Sequence, residues 1–424
     1  MKEIQDKSIP ADENGYSLEQ ERAALSLKQN IRIKVRLAIR KKASPLWVVL
    51  TAVVLIAALA LSQTFLFGKV EKNGAATKNP GTQLTFVGDT MVGRSIEKIC
   101  ERDGYSTLFS GVKHVWKNSD YVFANLEGAL LVGNAEKYHE NDDGTDMDIF
   151  LSASTKSVKN MVKSGINVLA YANNHVADYK KKSVTNAVEW FDKNNIPFSG
   201  IRREFYEELP EETTVELAEG ETTTMSRDIT SQEAKYYTLL KTDSGKRIGF
   251  VSITASYYPE TVKYDVITTK DTMFYSYVSS SARDNDFTVV YMHWGSEGVS
   301  AVSKEQQDMA HLLIDAGADV VIGCHPQVLQ SAEVYNDGII FYSLGNFVYD
   351  VSSTFSRDSA IVQFNAAEDG GRQVIVMPVR INGGRPEITE NAFYGARIRR
   401  ALTTMLDKNL YKTDDAGNLV ITLK

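Results

Sequence analysis

The chain has 424 residues, of which 43% are hydrophobic and 24% are charged, a composition that argues against wholesale disorder. Its length and apolar content allow one large domain or two modest ones. A formal net charge of −7 offers no basic face for nucleic acid, so no nucleic acid partner is expected. The two cysteines, Cys100 and Cys324, are too few for a disulfide framework. They could form one bridge outside the cell, but two free, buried thiols are the preferred interpretation.

The N-terminal region predicts a transmembrane helix. Residues 1–45 are polar and charged and are interpreted as a short cytoplasmic tail, whereas residues 46–68 contain no charged side chain. As an α-helix, the second segment would be about 34 Å long, enough to cross a bilayer core of about 30 Å. A basic cluster shortly before it predicts, by the positive-inside rule, a cytoplasmic N-terminus and an extracellular main domain. The cluster consists of Arg32, Lys34, Arg36, Arg40, Lys41 and Lys42.

A cleaved signal peptide is the alternative, because Ala58-Leu59-Ala60 resembles a cleavage site. The polar stretch before the apolar segment is too long for that interpretation, so a retained single-pass signal-anchor in the cell membrane is favoured. Residues 69–82, rich in Lys, Gly, Asn and Pro, are predicted to be a linker.

Short apolar runs alternate with amphipathic stretches from Leu84 onward. Helical patterns cover 180–194 and 304–317, and this alternation predicts a layered α/β fold with mixed β-sheets flanked by helices. The runs 360–364 and 373–381 alternate more strictly and predict antiparallel strands at the side of the sheet. The other predicted strands are 84–88, 121–125, 166–171, 248–254, 287–292, 319–323 and 339–344.

The external domain is predicted to span 83–410, with one interruption. Residues 203–235 are rich in Glu and Thr and are interpreted as a solvated insertion or a loop-and-hairpin excursion. Residues 396–410 form a basic amphipathic pattern that predicts a helix, and 411–424 are assigned to a C-terminal tail.

Polar side chains follow six of the predicted strands, at the point where each strand ends. If the strands are mostly parallel and share one sheet, these side chains meet at its carboxyl edge, where open α/β sheets build their sites. Imidazole and carboxylate groups suit Zn, Mn or Fe, so one or two divalent metal ions are expected. The candidates are Asp89, Asn125, Glu127, Asn173, Asn174, His175, His293, Trp294, Glu297, His325, Gln327 and Asn346.

Single residues in this set have structural interpretations. Asp89 could cap the following helix, Asn173 and Asn174 could be turn residues, and His293 could be a core histidine. Their joint placement favours a site. His114, His139 and His311 lie mid-helix or away from strand ends and are interpreted as structural or exposed.

Three other chemistries lack their sequence motifs. The chain has no G-x-x-x-x-G-K-[ST] phosphate loop, and its GDTMVG segment does not match G-x-G-x-x-G. It also has no G-x-S-x-G elbow, which disfavours a serine hydrolase of the α/β type.

Six ordered motifs, GDTMVG, NLEG, ANNHVADY, HWGSE, GCHPQVLQ and YSLGNF, resemble the CapA family of poly-γ-glutamate capsule synthesis proteins. That family is related to the calcineurin-like metallophosphoesterases, so the resemblance implies a metallophosphatase-like fold over about residues 83–350. It implies metal ligation by Asp89, Glu127, Asn174, His293 and His325, with Glu127 bridging two ions. His175 would be the acid for the leaving group. Asn125, Asn173, Trp294, Glu297, Gln327 and Asn346 would face the substrate.

Two positions depart from the pattern that the resemblance implies. Met91 stands where metallophosphoesterases have the His of Asp-x-His, and Gln327 stands where the family commonly has the second His of His-Pro-His. Because a neutral Gln is a weaker ligand than imidazole, one of the two metal positions is expected to be loose or empty, or the site to hold a single ion.

The expected function follows from the anchor, the candidate site and the resemblance together. The protein is expected to act outside the membrane in making or exporting an anionic capsule polymer such as poly-γ-glutamate, as a metal-dependent hydrolase or transferase. Synthase membrane subunits are expected partners. The rival hypothesis is a non-catalytic scaffold that binds polymer or synthase subunits and has a degenerate metal site. A surface phosphodiesterase rests on superfamily likeness alone.

Overall fold

The computed structural model gives the side-chain structure of the domain core and the backbone of one hairpin. The described residues are 81–133, 150–202, 237–256, 265–271 and 273–423, with the backbone of 212–216 and 222–226. The predicted tail, the predicted transmembrane helix and residues 69–80 of the predicted linker lie outside them, and so does His139; residues 81 and 82 of that linker begin β1. In the described part of the chain, no helix is long and apolar enough to cross a bilayer.

The elements alternate between strands and helices along most of the chain. The first half contains β1 (Gly81–Thr90), α1 (Arg94–Asp103), β2 (Tyr121–Leu126), β3 (Ala129–Leu131), β4 (Ser152–Ser154), α2 (Thr155–Lys163), β5 (Val168–Ala170), α3 (Lys180–Lys193), β6 (Phe198–Ser199), β7 (Glu212–Glu216) and β8 (Thr222–Ser226). The second half contains β9 (Thr238–Lys241), β10 (Arg247–Thr254), α4 (Phe274–Asp284), β11 (Phe287–His293), α5 (Lys304–Asp315), β12 (Val320–Cys324), β13 (Ala332–Tyr335), β14 (Gly338–Phe341), β15 (Asn346–Val348), β16 (Asp358–Ala367), β17 (Arg372–Asn382), β18 (Arg385–Ile388), α6 (Ala392–Leu402), β19 (Tyr411–Thr413) and β20 (Leu419–Leu423).

The first sheet has ten strands, with eight in the order β19-β20-β17-β16-β1-β2-β5-β6. Strand β15 pairs with β1, and β18 pairs with β17. Strands β1, β2, β5, β6 and β15 are parallel to their neighbours in this group, so their carboxyl ends share one edge. Strands β16 and β17 are antiparallel, as the alternating pattern predicted.

The second sheet has six strands in the order β13-β14-β12-β11-β10-β9. Its four inner strands are parallel, and the two edge strands are antiparallel. The condition of one shared sheet is not met. The strands that carry the candidate residues divide between two sheets, β1, β2, β5 and β15 in the first and β11 and β12 in the second.

The two sheets face each other across an apolar core. Phe86 and Phe123 from the first sheet meet Phe250 and Tyr291 from the second, with the Phe123–Phe250 ring centroids 5.1 Å apart. The Tyr291 hydroxyl lies 3.0 Å from the carbonyl oxygens of both Val87 and Phe123. Because burial of large aromatic side chains is strongly favourable, this core fixes the two sheets face to face.

Helices cover the outer face of each sheet. Helices α1, α2 and α3 pack on the first sheet through one apolar cluster, and α4 and α5 pack on the second through another. The α/β prediction of several mixed sheets flanked by helices is confirmed. The capping box at Ser303 and Gln306 shows why α5 begins where it does, because each side chain bonds the other residue's backbone N–H.

Two segments near the C-terminus differ from the predictions. The helix runs over Ala392–Leu402 rather than 396–410, because Asn391 caps it by accepting the N–H groups of Phe393 and Tyr394. The predicted tail instead supplies β19 and β20, and β20 pairs with β17. Within the 203–235 insertion, β7 and β8 form an antiparallel hairpin.

Candidate active site between the two sheets

The candidate residues lie where the carboxyl ends of β1, β2 and β5 approach those of β11 and β12. Asp89 is the centre of the hydrogen bonding: its Oδ1 accepts from Asn125 Nδ2 at 2.7 Å, and its Oδ2 accepts from the backbone N–H of His325 at 3.0 Å. Asp89 and Asn125 are paired across β1 and β2. Residues 36 and 236 positions away along the chain therefore meet at one carboxylate.

Burial raises the pKa of Asp89 to about 6, even though three donors favour its charged form. The donors are the His325 N–H, the Asn125 amide and the Cys324 thiol, and the negative charge of Glu297 raises the pKa further. This carboxylate is therefore desolvated but held ready to ionise near neutral pH.

His293, at the end of β11, closes the site from the second sheet. Its Nε2 lies 2.7 Å from Asn174 Oδ1, and its Nδ1 lies 3.4 Å from Asn125 Nδ2. The imidazole rings of His293 and His325 have centroids 4.7 Å apart. The two histidines therefore face the same small volume as Asp89.

Burial lowers the pKa of both imidazoles. The pKa of His293 falls well below its usual value, because the ring is desolvated and lies near His325 and His175. Burial also lowers the pKa of His325, to about 4, and the nearby His175 contributes to this shift. Both rings are therefore neutral at physiological pH, which is the form that ligates metals.

A third group of contacts organises the loop after β5. The Asn173 side chain donates to the Leu126 carbonyl at 2.9 Å and accepts the His175 N–H at 3.0 Å. His175 Nδ1 lies 2.9 Å from Asp178 Oδ2, which also accepts the Leu151 N–H at 2.7 Å. A buried carboxylate thus fixes the orientation of the predicted acid.

Glu127 is buried, and neither of its carboxylate oxygens has a hydrogen-bond partner among the described residues. Its pKa is raised well above the usual value, first by burial and then by the charges of Asp89, Glu297 and Asp178. Leaving a buried carboxylate unpaired is costly, so such a group normally neutralises or binds a cation. Glu127 is therefore the side chain in this site that is best suited to bind a cation.

Two further orphaned atoms lie in the neighbouring loops. His325 Nδ1 and Asn346 Oδ1 are buried without a hydrogen-bond partner in the described part of the chain. The Asn346 amide nitrogen is held by the carbonyls of Gln327 at 3.3 Å and Ser356 at 3.2 Å. This contact leaves the oxygen of Asn346 as a free acceptor, while Gln327 contributes its backbone carbonyl to the loop.

The donor set fits a divalent cation in its chemistry. Two carboxylates, two neutral imidazoles and two amide oxygens are the ligand types that first-row metals take. Across the described residues, however, no group of three or more His, Cys, Asp or Glu side chains is arranged to hold a metal ion. The amide oxygens of Asn174 and Asn346 would therefore have to complete any such shell.

Two of the predicted substrate residues have contrasting surroundings. Trp294 is buried on the face of the second sheet opposite to His293, where its indole N–H donates to the Tyr342 carbonyl at 2.9 Å. This packing leaves no surface of Trp294 for a substrate. Glu297 is exposed in the loop after β11, yet its charge acts on both Asp89 and Glu127, so it borders the site.

Sequence reasoning missed three buried neighbours of the site. Asp178 orients His175, the Cys324 thiol bonds Asp89, and Tyr349 lies close enough to feel the charges of Asp89 and Glu127. The spacing of His175 and Asp178 was the one available signal, since residues three apart share a face of a helical turn.

His114, which is exposed, His311 and the two cysteines match their interpretations. His311 pairs with Glu333 at 3.1 Å on α5 and stacks on Tyr335, away from the candidate residues. Cys100 and Cys324 are both free and buried.

The family model described as bacterial capsule synthesis protein PGA_cap matches residues 83–351, the stretch that contains every candidate residue. The chain is 32% identical over 381 residues to the capsule biosynthesis protein CapA of Bacillus anthracis, covering 88% of this chain and 86% of that protein. It is 31% identical over 334 residues to the PGA biosynthesis protein CapA of Bacillus subtilis (strain 168), covering 78% and 80% respectively. A probable polyglutamine synthesis accessory protein of Mycobacterium tuberculosis is 34% identical over 82 residues, 19% of this chain and 22% of that protein.

The fold thus defines a layered α/β protein, and the family match and the two Bacillus relatives connect it with capsule synthesis. The chain belongs to the bacterial capsule synthesis family PGA_cap, together with the CapA proteins of Bacillus.

Proposed function

We propose that this protein is a metal-dependent hydrolase or transferase that acts on an anionic capsule polymer such as poly-γ-glutamate outside the cell membrane. The observation that carries the proposal is Glu127, whose two buried carboxylate oxygens have no partner in the described structure beside the ionisable Asp89. A buried unpaired carboxylate in a cleft of neutral imidazoles is the arrangement expected of a cation site.

Asp89, Glu127, Asn174, His293 and His325 would hold one or two divalent ions. When bound, such ions polarise a carbonyl or phosphoryl oxygen and lower the pKa of water. Asp89 and Glu127 supply the negative charge, and the two neutral imidazoles supply lone pairs without adding positive charge. The buried walls exclude bulk water, which strengthens each of these interactions.

His175 is proposed to move the proton that the reaction requires. Its Nδ1 faces Asp178, which leaves Nε2 as the nitrogen that exchanges protons. In hydrolysis of an amide, water oxygen bonds to the carbonyl carbon, the carbon–nitrogen bond breaks, and His175 protonates the departing nitrogen. The proton lost by water returns to His175, so the site is restored after each turnover.

The test combines metal content with turnover. Purified protein is loaded with Mn²⁺, Zn²⁺ or Fe²⁺ and assayed on γ-glutamyl peptides and on model phosphodiesters, with His293→Ala and Glu127→Gln as variants. Near-stoichiometric metal and turnover that both variants abolish support the proposal. No turnover by the wild type with any metal, or turnover that His293→Ala leaves unchanged, rejects it.

A non-catalytic scaffold is the second candidate, and Met91 favours it. Metallophosphoesterases have a histidine ligand at this position, whereas Met91 is fully buried in the apolar cluster beneath the helices. On this view the domain binds polymer or synthase membrane subunits, and the polar site only holds its loops together. Elemental analysis separates the candidates, because a scaffold with a degenerate site retains no metal.

We also propose that residues 46–68 anchor the protein in the cell membrane with the main domain outside. The absence of charge from this segment and the basic cluster before it support the proposal. External protease added to intact cells should then digest the domain but spare the N-terminal tail. Protection of the whole chain, or its release into the soluble fraction, would contradict this topology.

A further inference from the structure

Arg94, shortly after the end of β1, has a cationic side chain near the rim of the candidate site. Strands β1 and β15 run parallel, and the Met91 N–H bonds the Val348 carbonyl at 2.9 Å where the two strands end. Arg94 follows Met91 by three residues, and Asp350 follows Val348 by two. Arg94 Nε lies 3.5 Å from Asp350 Oδ2. Arg94 therefore occupies the carboxyl edge of the sheet, the same edge that holds Asp89.

The backbone of Arg94 is held in an unfavourable conformation. Its φ is +50°, in the left-handed region that side chains other than Gly, Asn and Asp seldom adopt. Seven non-glycine residues of the described chain have positive φ, and Arg94 is one of them. Two of the other six, His325 and Gln327, lie in a loop of the site. Strained residues of this kind concentrate at binding and catalytic sites, where the surrounding structure holds them in place.

The charge of Arg94 and the charges of the acidic centre act on the same residue, Tyr349. Burial raises the pKa of Tyr349, and the charges of Glu127, Asp89 and Glu297 raise it further, whereas the charge of Arg94 acts in the opposite direction. One buried tyrosine therefore lies within range of both the carboxylate cluster and this guanidinium.

The guanidinium of Arg94 makes only one ion-pair contact in the described structure. Its side chain is 42% exposed, and its ion pair in the described structure is the single contact to Asp350, whose Oδ2 also accepts the Ser95 hydroxyl. By contrast, Arg397 makes several short contacts to Asp358, and Arg102 makes a two-point contact to Asp103. The remaining N–H groups of Arg94 are a planar fork that matches a carboxylate.

We propose that Arg94 is the anion-binding residue of the site and that it recognises a substrate carboxylate next to the bond that reacts. This inference rests on the proposed function, because it names the feature of the polymer that the site selects. An acidic cluster repels a polyanion, so an exposed arginine at its rim determines which part of the polymer can enter. A polymer in which every unit retains a free carboxylate beside an amide link has the required chemistry.

The experiment measures binding separately from turnover. The probe is a fluorescent γ-linked glutamate oligomer, compared with the same oligomer whose free carboxylates are converted to amides, and full-length protein is titrated against each by anisotropy. Arg94→Gln should weaken binding of the carboxylate oligomer about 10- to 100-fold, as expected for a charge-assisted pair. Arg94→Lys should restore part of the loss, because charge returns without the fork.

Three controls make the result decisive. Arg102→Gln removes an exposed arginine from the same helix and should bind like the wild type. His175→Ala should bind the carboxylate oligomer like the wild type even if turnover is lost. The role of Arg94 in binding can therefore be tested even if the proposed catalytic function is wrong. The amidated oligomer should bind wild type and Arg94→Gln equally weakly. Equal binding of the carboxylate oligomer by wild type and Arg94→Gln, or no preference of the wild type for carboxylate over amide, overturns the inference.

Discussion

Asn174 Oδ1 lies 2.7 Å from Nε2 of His293, although the two residues are 119 positions apart in the chain. Asn174 lies in the loop after β5 of the first sheet, and His293 ends β11 of the second. Because the pKa of His293 is lowered by burial, the ring is neutral, and this contact assigns its proton to Nε2 and its lone pair to Nδ1. Asn174 thereby sets which nitrogen of His293 can accept a proton or a ligand.

Replacing Asn174 tests the value of that contact. Asn174→Leu removes the acceptor and leaves a buried N–H unsatisfied, which should lower the free energy of unfolding by about 1–3 kcal/mol in urea denaturation of the metal-free protein. Asn174→Asp keeps the acceptor and should raise the pKa of His293, detected by NMR of labelled histidine. Unchanged stability in Asn174→Leu would show that the contact contributes nothing.

Glu127→Gln should stabilise the metal-free protein while it abolishes the proposed activity. The folded-state pKa of Glu127 is raised above its usual value, so the folded wild type is penalised as pH rises through the window above about 4.5, where the unfolded chain ionises freely. Gln removes this penalty, so the gain in melting temperature should be larger at pH 8 than at pH 5. Thermal melts in the presence of a chelator measure it.

The matched control for Glu127 is Glu297→Gln, because Glu297 acts on the same cluster from an exposed position. Its own substitution should change the melting temperature little. A loss of stability in Glu127→Gln at pH 8 would mean that the Glu127 carboxylate has a stabilising partner.

Metal binding should be linked to the ionisation of Asp89. Excess Mn²⁺ or Zn²⁺ at 100 times its dissociation constant would stabilise the protein by about 2.7 kcal/mol, seen as a higher melting temperature. Because the pKa of Asp89 is about 6, protons compete with the metal as pH falls through that value, and the stabilisation should shrink. Asp89→Asn should remove most of it, and an equal shift in this variant would place the metal elsewhere.

Asp178→Asn should lower turnover without removing bound metal. The variant keeps an oxygen that can accept the Leu151 N–H but loses the negative charge that orients His175. A loss of about 10²- to 10⁴-fold is the size expected when a general acid is impaired. Glu333→Gln, which alters the unrelated His311 pair, serves as the control and should leave turnover unchanged. Equal turnover in Asp178→Asn and wild type would mean that His175 does not need Asp178.

Part of the site could be predicted from the sequence, because polar residues directly after apolar strand-forming runs lie at strand ends. Asp89, Asn125, His293 and His325 follow this rule, and the structure gathers them. The rule says nothing of direction, however. Trp294 follows His293 by one residue and points to the opposite face, because successive side chains of an extended strand alternate.

The sequence by itself determined the alternation of strands and helices, the positions of the strand ends and the kinds of donor that follow them, since periodicity and residue type are local properties. Only the tertiary structure decided that the strands divide between two sheets and that Glu127 is buried with no hydrogen-bond partner among the described residues. These features depend on which distant side chains fill the same volume. The packing of the two sheets determines which distant side chains come together, and no local sequence pattern predicts this.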